Sequence, residues 1–281
     1  MRRTLIILVV LGSLLGLVLV VLFIALHNKS PKTFAPIENN QRQLINALPI
    51  ADRPFVALFP HSSGKLITLY VENKNNSKNI SVEIEYLSGN ALKGGRSSID
   101  NSVVFPYAQA FLLGSCSAGG KCSFDKDITT GSIKTKLDQA GVSQVLKSNY
   151  TFITANSSAT TDQKLIFNPA ASLKQQLILG GSHGFPGSIA QEAAYEPVVL
   201  TSDRTDPVKG KLIIIAPDAT RVVFFDGVSY VDAKGVKVDG GWSVDVNQKP
   251  RAINTTITRD DLKGATEDIT FYLVGPYIAV K

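Results

Sequence analysis

An uncharged apolar segment near the N-terminus places the strongest constraint on how this chain can fold. Residues 4–26, TLIILVVLGSLLGLVLVVLFIAL, contain no Asp, Glu, Lys or Arg. About 20 predominantly apolar residues suffice for a helix to cross the hydrocarbon core of a bilayer. The sequence therefore predicts a transmembrane helix over residues 4–26 and makes the membrane the first expected partner.

A cleaved signal peptide is the alternative interpretation of this segment. The apolar part of a signal peptide usually spans about 7–15 residues and ends at a small-x-small cleavage site. This run is longer, and the sequence that leaves it, Ala25-Leu26-His27, has no small residue at position 27. Both features favour a retained anchor.

The flanking charges predict the orientation of the anchor. Arg2 and Arg3 precede the apolar run together with the terminal amine, and positive flanking charge tends to remain in the cytoplasm. Lys29 and Lys32 weaken this bias without reversing it. We therefore expect a cytoplasmic tip of residues 1–3, a single pass through the cell membrane, and the bulk of the chain outside the cytoplasm.

The two cysteines agree with an exported chain. Cys116 and Cys122 lie close together in GSCSAGGKCSFD, and an even pair in an exported protein predicts a disulfide. Gly119 and Gly120 give this short loop its flexibility. The spacing differs from that of a Cys-x-x-Cys redox site, and a zinc site would need two further ligands from three scattered histidines. The expected role is a structural staple at a hairpin tip.

The charge of the chain argues against a nucleic-acid partner. Lys and Arg number 29 and Asp and Glu 23, which gives a net charge of +6. This is a mild surplus, and the sequence contains no basic run interleaved with aromatic residues. We expect no nucleic-acid binding.

A polar, proline-containing segment over residues 27–53 is predicted to be a stalk. A short helix over 37–47 is one interpretation, because Glu38 and Arg42 have the i,i+4 spacing that supports a helix. An extended linker is the other, and the sequence leaves both open.

Beyond residue 54 the hydrophobic period becomes two. In ISVEIEYL, positions 80, 82, 84 and 86 are apolar or aromatic, and positions 81, 83 and 85 are polar, as in a half-buried strand. Further candidate strands lie at 55–59, 66–72, 102–113, 132–137, 150–155 and 164–167. Short strands separated by Gly, Asn and Ser turns predict a first antiparallel sandwich domain over residues 54–168, which carries the disulfide loop.

The C-terminal third predicts a second small β domain over residues 195–281. Apolar runs at 211–215 and 221–225 alternate with turn residues, and Asp226-Gly227 is a strong hairpin signal. Between the two domains, the glycine-rich residues 169–194 are expected to be a connection. The predicted fold class is all-β: an N-terminal transmembrane helix followed by two antiparallel β-sandwich (Ig-like) domains.

One segment resembles a known kind of module. Residues 66–89, LITLYVENKNNSKNISVEIEYLSG, resemble the Ig-like and CARDB-like modules of bacterial surface proteins, in which a V-x-N step leads into a polar turn and an alternating strand. The resemblance implies a β-sandwich with adhesive or spacer duties. Such modules bring no catalytic residues with them.

The sequence Gly180-Gly181-Ser182-His183-Gly184 matches the Gly-x-Ser-x-Gly pattern of a hydrolase nucleophile elbow. That elbow needs a strand, a strained turn that carries the serine, and then a helix, with a distant histidine further along the chain. Here Phe-Pro-Gly follows where a helix should begin, and the histidine after the serine is its immediate neighbour. We therefore predict that this motif is non-catalytic.

Other polar groups offer weaker site hypotheses. His61 lies in a turn beside two serines, and the sequence alone does not exclude it from an acid–base set, although a surface turn is the favoured interpretation. The segment that begins at Asp125 and Asp127 lacks the Gly and Glu positions of an EF-hand loop. Looser calcium sites in extracellular β domains use scattered carboxylates. One candidate set is Asp203 with Asp206, and the other is Asp260 with Asp261 and Asp268; solvated turn aspartates are the favoured interpretation of both sets. We predict no catalytic, cofactor-binding or metal-binding residues.

These observations predict a non-catalytic binding or scaffolding protein of the cell envelope. The disulfide loop of Cys116 and Cys122 is the first candidate contact surface, because loops on rigid scaffolds commonly carry function. An envelope protein or a glycan is the expected partner. Two alternatives stay open: a subunit of a larger envelope or secretion assembly, favoured by the small-x-x-x-small spacing of Gly12 and Gly16, and an envelope hydrolase.

Overall fold

The computed structural model describes residues 45–117, 121–153, 157–187, 189 and 192–281. Their regular structure is β, with two short 3-10 turns, Ile50–Asp52 and Asp260–Leu262, so the all-β prediction is confirmed. Within these ranges, no helix has the length and apolarity that crossing a bilayer requires. The predicted cytoplasmic tip, the predicted span over 4–26 and residues 27–44 of the predicted stalk lie outside the described residues.

Twenty strands follow one another along the described chain. They are β1 (Val56–Pro60), β2 (Leu66–Val71), β3 (Lys78–Ser88), β4 (Ala91–Ile99), β5 (Tyr107–Leu112), β6 (Gly114–Cys116), β7 (Cys122–Phe124), β8 (Ile128–Gln139), β9 (Val142–Ile153), β10 (Ser158–Ala159), β11 (Leu165–Pro169), β12 (Leu177–Gly181), β13 (Val198–Ser202), β14 (Val208–Ile215), β15 (Arg221–Phe225), β16 (Tyr230–Asp232), β17 (Val236–Val238), β18 (Gly241–Gln248), β19 (Arg251–Arg259) and β20 (Ala265–Val280).

The strands of the described part form three sheets. The largest has 13 strands in the order β1-β2-β5-β19-β20-β13-β12-β9-β8-β3-β4, with β15 and β16 continuing from β20. A second sheet has the order β10-β11-β14-β18-β17, and β6 pairs with β7. The predicted domains 54–168 and 195–281 both contribute strands to the largest sheet, and the described residues belong to one compact unit.

The first core lies between two layers of the largest sheet. One layer supplies the alternating strands β3 and β8, whose inward residues include Val82, Ile84 and Ile133. The facing layer is β1 and β2, represented by Leu58 and Leu69. Period-two strands are therefore found where one face meets the core and the other meets solvent, as the sequence predicts.

Strand β1 is buried on both faces. Val56 and Leu58 belong to the first core, whereas Ala57 and Phe59 belong to a second core on the opposite side. In that second core the ring of Phe59 stacks on Phe271 of β20, with ring centroids 4.7 Å apart. A strand covered on both faces carries a continuous apolar run, which explains why FVALF shows no alternation.

A third core joins the five-stranded sheet to the largest sheet. It packs Leu212 and Ile214 of β14 and Val244 of β18 against Leu179 of β12 and Leu200 of β13. Strand β12 contributes Ile178 to the first core and Leu179 to the third, so these two cores share this strand.

The residues expected to form a connection, 169–194, contain a central strand. Strand β12 pairs with β9 on one side and β13 on the other, and all five of its residues are buried. The sequence LILGG ends in two glycines, which usually indicate a turn. Here the glycines serve close packing, because a Cβ at Gly180 would lie 3.0 Å from Cβ of Tyr150.

The last residues of the predicted stalk pack on the body. Ile45 forms a parallel bridge with Val145, and the backbone N–H of Asn46 donates to Val145 O at 2.8 Å. Leu48 is buried in the first core, and the side chain of Arg53 donates to Leu48 O at 2.7 Å. Residues 45–53 thus form part of the folded unit.

Both predicted hairpins form. Cys116 and Cys122 are joined by a disulfide at the end of the β6–β7 pair, and residues 118–120 of its loop lie outside the described residues. In the β15–β16 hairpin, Phe225 pairs with Tyr230, so four residues, 226–229, separate the two strands. Within them, the N–H of Asp226 donates to Ser229 O at 3.1 Å. The Asp226 carboxylate accepts hydrogen bonds from the backbone N–H groups of Val228 and Ser229. These local bonds compete with the backbone hydrogen bonds of a tighter hairpin.

Candidate binding cleft beneath the disulfide hairpin

The Gly-Ser-His-Gly motif lies in the interior, immediately after β12. Ser182 and His183 are both 0% exposed. The Ser182 hydroxyl donates to Gly184 O at 2.8 Å, and His183 Nε2 lies 2.9 Å from the Thr135 hydroxyl oxygen. Burial, followed by the nearby charge of Arg53, lowers the pKa of His183 to about 3. The serine and histidine are not hydrogen-bonded to each other here, so the geometry is that of a packed turn.

A buried carboxyl group accompanies this turn. Glu196 is 9% exposed, and its Oε1 accepts a hydrogen bond from the Tyr195 hydroxyl at 3.2 Å. Burial raises the pKa of Glu196 to about 8, against the opposing effects of the Tyr195 hydrogen bond and the charge of Arg53. Its Oε2 has no hydrogen-bond partner among the described residues. The sequence analysis missed this group, because a lone Glu before an apolar strand carries no pattern.

The disulfide hairpin is fixed to the body at its base. Leu113, which precedes β6, is buried; its N–H donates to Lys65 O at 2.8 Å and its O accepts from the N–H of Asp125 at 2.9 Å. The Lys65 ammonium lies 4.3 Å from the centroid of the Phe124 ring. The base of the hairpin is therefore held on both strands, and the Cys116–Cys122 pair closes its other end.

A cleft of about 320 Å³ opens beside this hairpin. Its floor is the apolar edge of the first core, formed by Ile67, Ile84 and Phe111. Its rim contains hairpin, sheet-edge and turn residues, namely Gly94, Gly95, Gly114, Ser115, Cys116, Asp260 and Asp261. An apolar floor with a small number of convergent polar groups is the usual composition of a ligand site.

Gly95 allows the Phe111 ring to pack directly against β4 at the floor of the cleft. A Cβ at this position would lie 2.6 Å from Cδ1 of Phe111, so any side chain here would displace the ring. Gly94 is equally confined, because a Cβ there would collide with the backbone O of Ile84. Two consecutive glycines in a strand reduce its intrinsic stability, and a close approach by other atoms is one reason for their presence.

Tyr86, a lining residue of the cleft, binds a carboxylate that does not itself line the cleft. Asp125 accepts hydrogen bonds from the Tyr86 hydroxyl at 2.8 Å and from the Lys93 ammonium, with which it forms an ion pair. Burial alone would raise the pKa of Asp125, but the bonds from Lys93 and Tyr86 outweigh it and lower that pKa. Asp125 is therefore charged and oriented at neutral pH.

Asp261, which also lines the cleft, belongs to a forked ion pair. Arg259 donates through Nε to Asp261 Oδ1 at 3.0 Å and through Nη2 to Oδ2 at 2.7 Å, and its Nη1 reaches Glu267 Oε2 at 2.7 Å. The hydrogen bonds from Arg259 lower the pKa of Asp261 despite partial desolvation. Bidentate pairs of this kind fix both partners geometrically.

A chain of hydrogen-bonded polar side chains leads to Asp260, another residue that lines the cleft. The Tyr107 hydroxyl lies 2.8 Å from the Ser97 hydroxyl and 2.7 Å from Gln109 Oε1. Gln109 Nε2 then donates to Asp260 Oδ1 at 3.2 Å. Asp260 is exposed, so its carboxylate is available to a ligand in the cleft.

Among the other residues singled out in the sequence, His61 and Asp203 lie in turns, whereas Asp268 lies in β20. His61 Nδ1 lies 2.8 Å from the Ser63 hydroxyl, and burial is the main cause that lowers the pKa of His61. Asp203 accepts the N–H of Gln176 at 2.8 Å, and Asp268 accepts the Thr256 hydroxyl at 2.6 Å. No cluster of three or more metal-ligating side chains occurs in the part of the chain that the structure describes.

No protein-family model, curated protein or solved structure matches this chain. The resemblance of residues 66–89 to Ig-like modules stays a prediction. In the structure this segment contains β2 and β3, which lie in facing layers around the first core.

Proposed function

We propose that this protein is a non-catalytic binding or scaffolding protein of the cell envelope, anchored by residues 4–26 and exposing its β body outside the cytoplasm. Its contact site is the cleft beside the Cys116–Cys122 hairpin. In this proposal the body consists of two Ig-like sandwiches fused through β12 and β13. The observation that carries the proposal is the cleft itself, with its apolar floor and oriented polar walls.

The construction of the cleft favours recognition of an exposed partner group. Two of its lining side chains are held in place, Tyr86 by its hydrogen bond to Asp125 and Asp261 by its ion pair with Arg259. They therefore lose little freedom when a ligand binds. The floor of the cleft is the outer edge of the first core at Phe111, Ile67 and Ile84, whose side chains are at most 5% exposed. An envelope protein segment or a glycan presents both polar and apolar groups of this size.

The burial of the serine motif supports a non-catalytic role for that segment. A nucleophile must reach its substrate, and Ser182 and His183 are 0% exposed. The hydrogen bonds of both side chains are made within the fold, to Gly184 O and Thr135. The packing of β12 accounts for both residues without chemistry.

In-cell photo-cross-linking tests the cleft. A photoreactive amino acid at Ser115, an exposed rim residue, should capture a reproducible partner in the full-length protein. The matched control places the same group at Asn247, which is exposed on β18 of the five-stranded sheet. Equal capture from both positions, or none from Ser115, would contradict the proposed site.

The identity of the captured material separates the alternatives. A glycan or a single envelope protein agrees with an anchored binding module. A fixed stoichiometric set of membrane proteins, lost when Gly12 and Gly16 are both changed to Leu, would identify an assembly subunit instead. Labelling of Ser182 by an active-site serine probe would favour the alternative that the protein is an envelope hydrolase.

A further inference from the structure

Four basic side chains share the outer face of β4, β3, β8 and β9. Arg96 lies opposite Glu83, and Glu83 lies opposite Lys134. Lys134 in turn lies opposite Lys147. Lys136 is two residues further along β8 and therefore points to the same side. We define the basic face as Glu83, Glu85, Arg96, Lys134, Lys136 and Lys147.

A single carboxylate is shared by three of these cations. Glu83 Oε2 lies 3.5 Å from Lys134 Nζ. Glu83 Oε1 lies 3.8 Å from Lys136 Nζ and 3.9 Å from Arg96 Nη1. With four cations and two carboxylates, these six residues carry a net charge of +2. Asp138, two residues beyond Lys136 on the same side, lies opposite Lys78 and leaves this balance unchanged. The side chains of Arg96, Lys134 and Lys136 are 59%, 40% and 42% exposed, so they are open to an external anion.

The fold does not require this charge. The inward neighbours on the same strands, Val82, Ile84 and Ile133, form the first core, whereas the outer side chains reach solvent. Exposed ion pairs such as those of Glu83 contribute little to stability. The excess of cations is therefore available for binding.

The described chain begins beside this face. Ile45 bridges Val145 on β9, and the side chain of Asn46 exchanges two hydrogen bonds with the backbone of Lys147, at 2.8 and 2.9 Å. Residues 27–44, which number 18, separate this point from the end of the predicted span. Fully extended, they would reach at most about 60 Å. The basic face is thus tethered within reach of the bilayer surface.

We infer that the basic face docks on the anionic phospholipid headgroups of the bilayer that holds the anchor. Ammonium and guanidinium groups make charge-assisted hydrogen bonds to phosphate oxygens. The inference rests on the membrane anchoring in the proposed function. The face carries no aromatic residue, so the attraction is electrostatic and is screened by salt. The cleft lies on the inner side of the β3–β4 pair, at Ile84 and Gly95, whereas the basic face is on the outer side. Docking of the basic face therefore leaves the cleft accessible.

Amine labelling of the full-length protein in nanodiscs tests this inference. One set of discs contains phosphatidylcholine alone, and the other contains phosphatidylcholine with phosphatidylglycerol. A water-soluble amine reagent, read out by mass spectrometry, should modify Lys134, Lys136 and Lys147 at least about fivefold more slowly in the anionic discs. High salt should remove this protection. The internal controls are Lys209, Lys237 and Lys249, exposed lysines outside the basic face.

Charge variants sharpen the test. Lys147→Gln should weaken the protection of Lys134 and Lys136 roughly fivefold. Glu83→Gln should strengthen it, because it removes the carboxylate that competes with lipid phosphate. Lys237→Gln, on the five-stranded sheet, changes the charge of the protein equally and should have no effect. Equal effects of Lys147→Gln and Lys237→Gln would overturn the basic face as the contact.

The outcomes separate this inference from the proposed function. If the chain stays in both kinds of disc after washing but labelling is equal, docking is overturned and the anchor stands. If the chain washes off both kinds of disc, the anchoring itself fails, and the inference fails with it. If dextran sulfate protects the three lysines in neutral discs and phosphatidylglycerol does not, the occupant is a polyanionic glycan and lipid docking is overturned.

Discussion

The carboxyl group of Glu196 packs directly against the backbone of Gly181. A Cβ atom at position 181 would lie 2.5 Å from Cδ of Glu196, which is closer than van der Waals contact allows. Gly181 ends β12, and Glu196 stands two residues before β13. The contact therefore joins the two ends of the segment between β12 and β13 that carries Ser182 and His183. It also gives Gly181 a packing role.

Gly181→Ala should destabilise the protein. Overpacking of a well-filled interior typically costs about 1–3 kcal/mol. Chemical denaturation of the wild type and the variant would measure the loss. In a Glu196→Ala background the same change should cost much less, because the colliding carboxyl group is absent. An undiminished cost in that background would contradict the contact.

The contribution of Glu196 to the stability of the protein should fall as the pH rises from about 4.5 to about 8. Burial raises the pKa of Glu196 in the folded state to about 8, whereas the unfolded chain has the ordinary value of 4.5. Between these values the unfolded state releases its proton first, so folding becomes less favourable, by on the order of 5 kcal/mol in total.

Glu196→Gln separates this effect from other titrations. The amide keeps the size of the side chain and cannot ionise, so the variant should gain stability relative to the wild type as the pH rises towards 8. Urea denaturation at several pH values would measure this difference. A constant difference between the two proteins would show that Glu196 titrates normally.

His183 should act in the opposite direction. Its pKa in the folded state is lowered to about 3, mainly by burial, from the ordinary value of 6.5. As the pH falls below about 6.5, the unfolded chain gains a proton that the folded state excludes, so the free energy of unfolding decreases. His183→Gln should remove this part of the acid sensitivity. Identical acid profiles of the wild type and the variant would show that His183 accepts a proton in place.

Removing the disulfide should separate binding from folding. The Cys116→Ser, Cys122→Ser double variant loses a cross-link over a short loop, whose entropy is worth about 2 kcal/mol. The remainder of the hairpin stays attached through Leu113. We expect a folded protein with weaker partner capture from Ser115. Unchanged capture by the folded variant would exclude the hairpin tip as part of the contact.

The sequence predicted most strands because their side chains alternate or form short apolar runs. ISVEIEYL lies in β3, and the run at 221–225 coincides with β15. Strand β4 was missed, since ALKGGRSSI is polar and contains two glycines. It is a strand because β3 supplies its hydrogen-bond partners and Phe111 fills the space beside Gly95.

The candidate site was predictable only in part. The cysteine spacing pointed to the hairpin, and the structure places that hairpin at a cleft. The lining residues Tyr86 and Asp261 come from segments more than 170 residues apart in the sequence. A local sequence pattern does not predict that these residues lie close together, because their proximity depends on the pairing of β5 with β19.

The sequence by itself determined the all-β class, the disulfide pair and the alternating strands, since each depends on residues close together in the chain. The tertiary structure decided that the predicted connection contains a central strand, that Ser182 and His183 are interior residues, and that the two predicted domains share one sheet. Pairings such as β13 with β20 join residues far apart in sequence, and their free energy comes from the burial of surfaces that meet only in the folded chain.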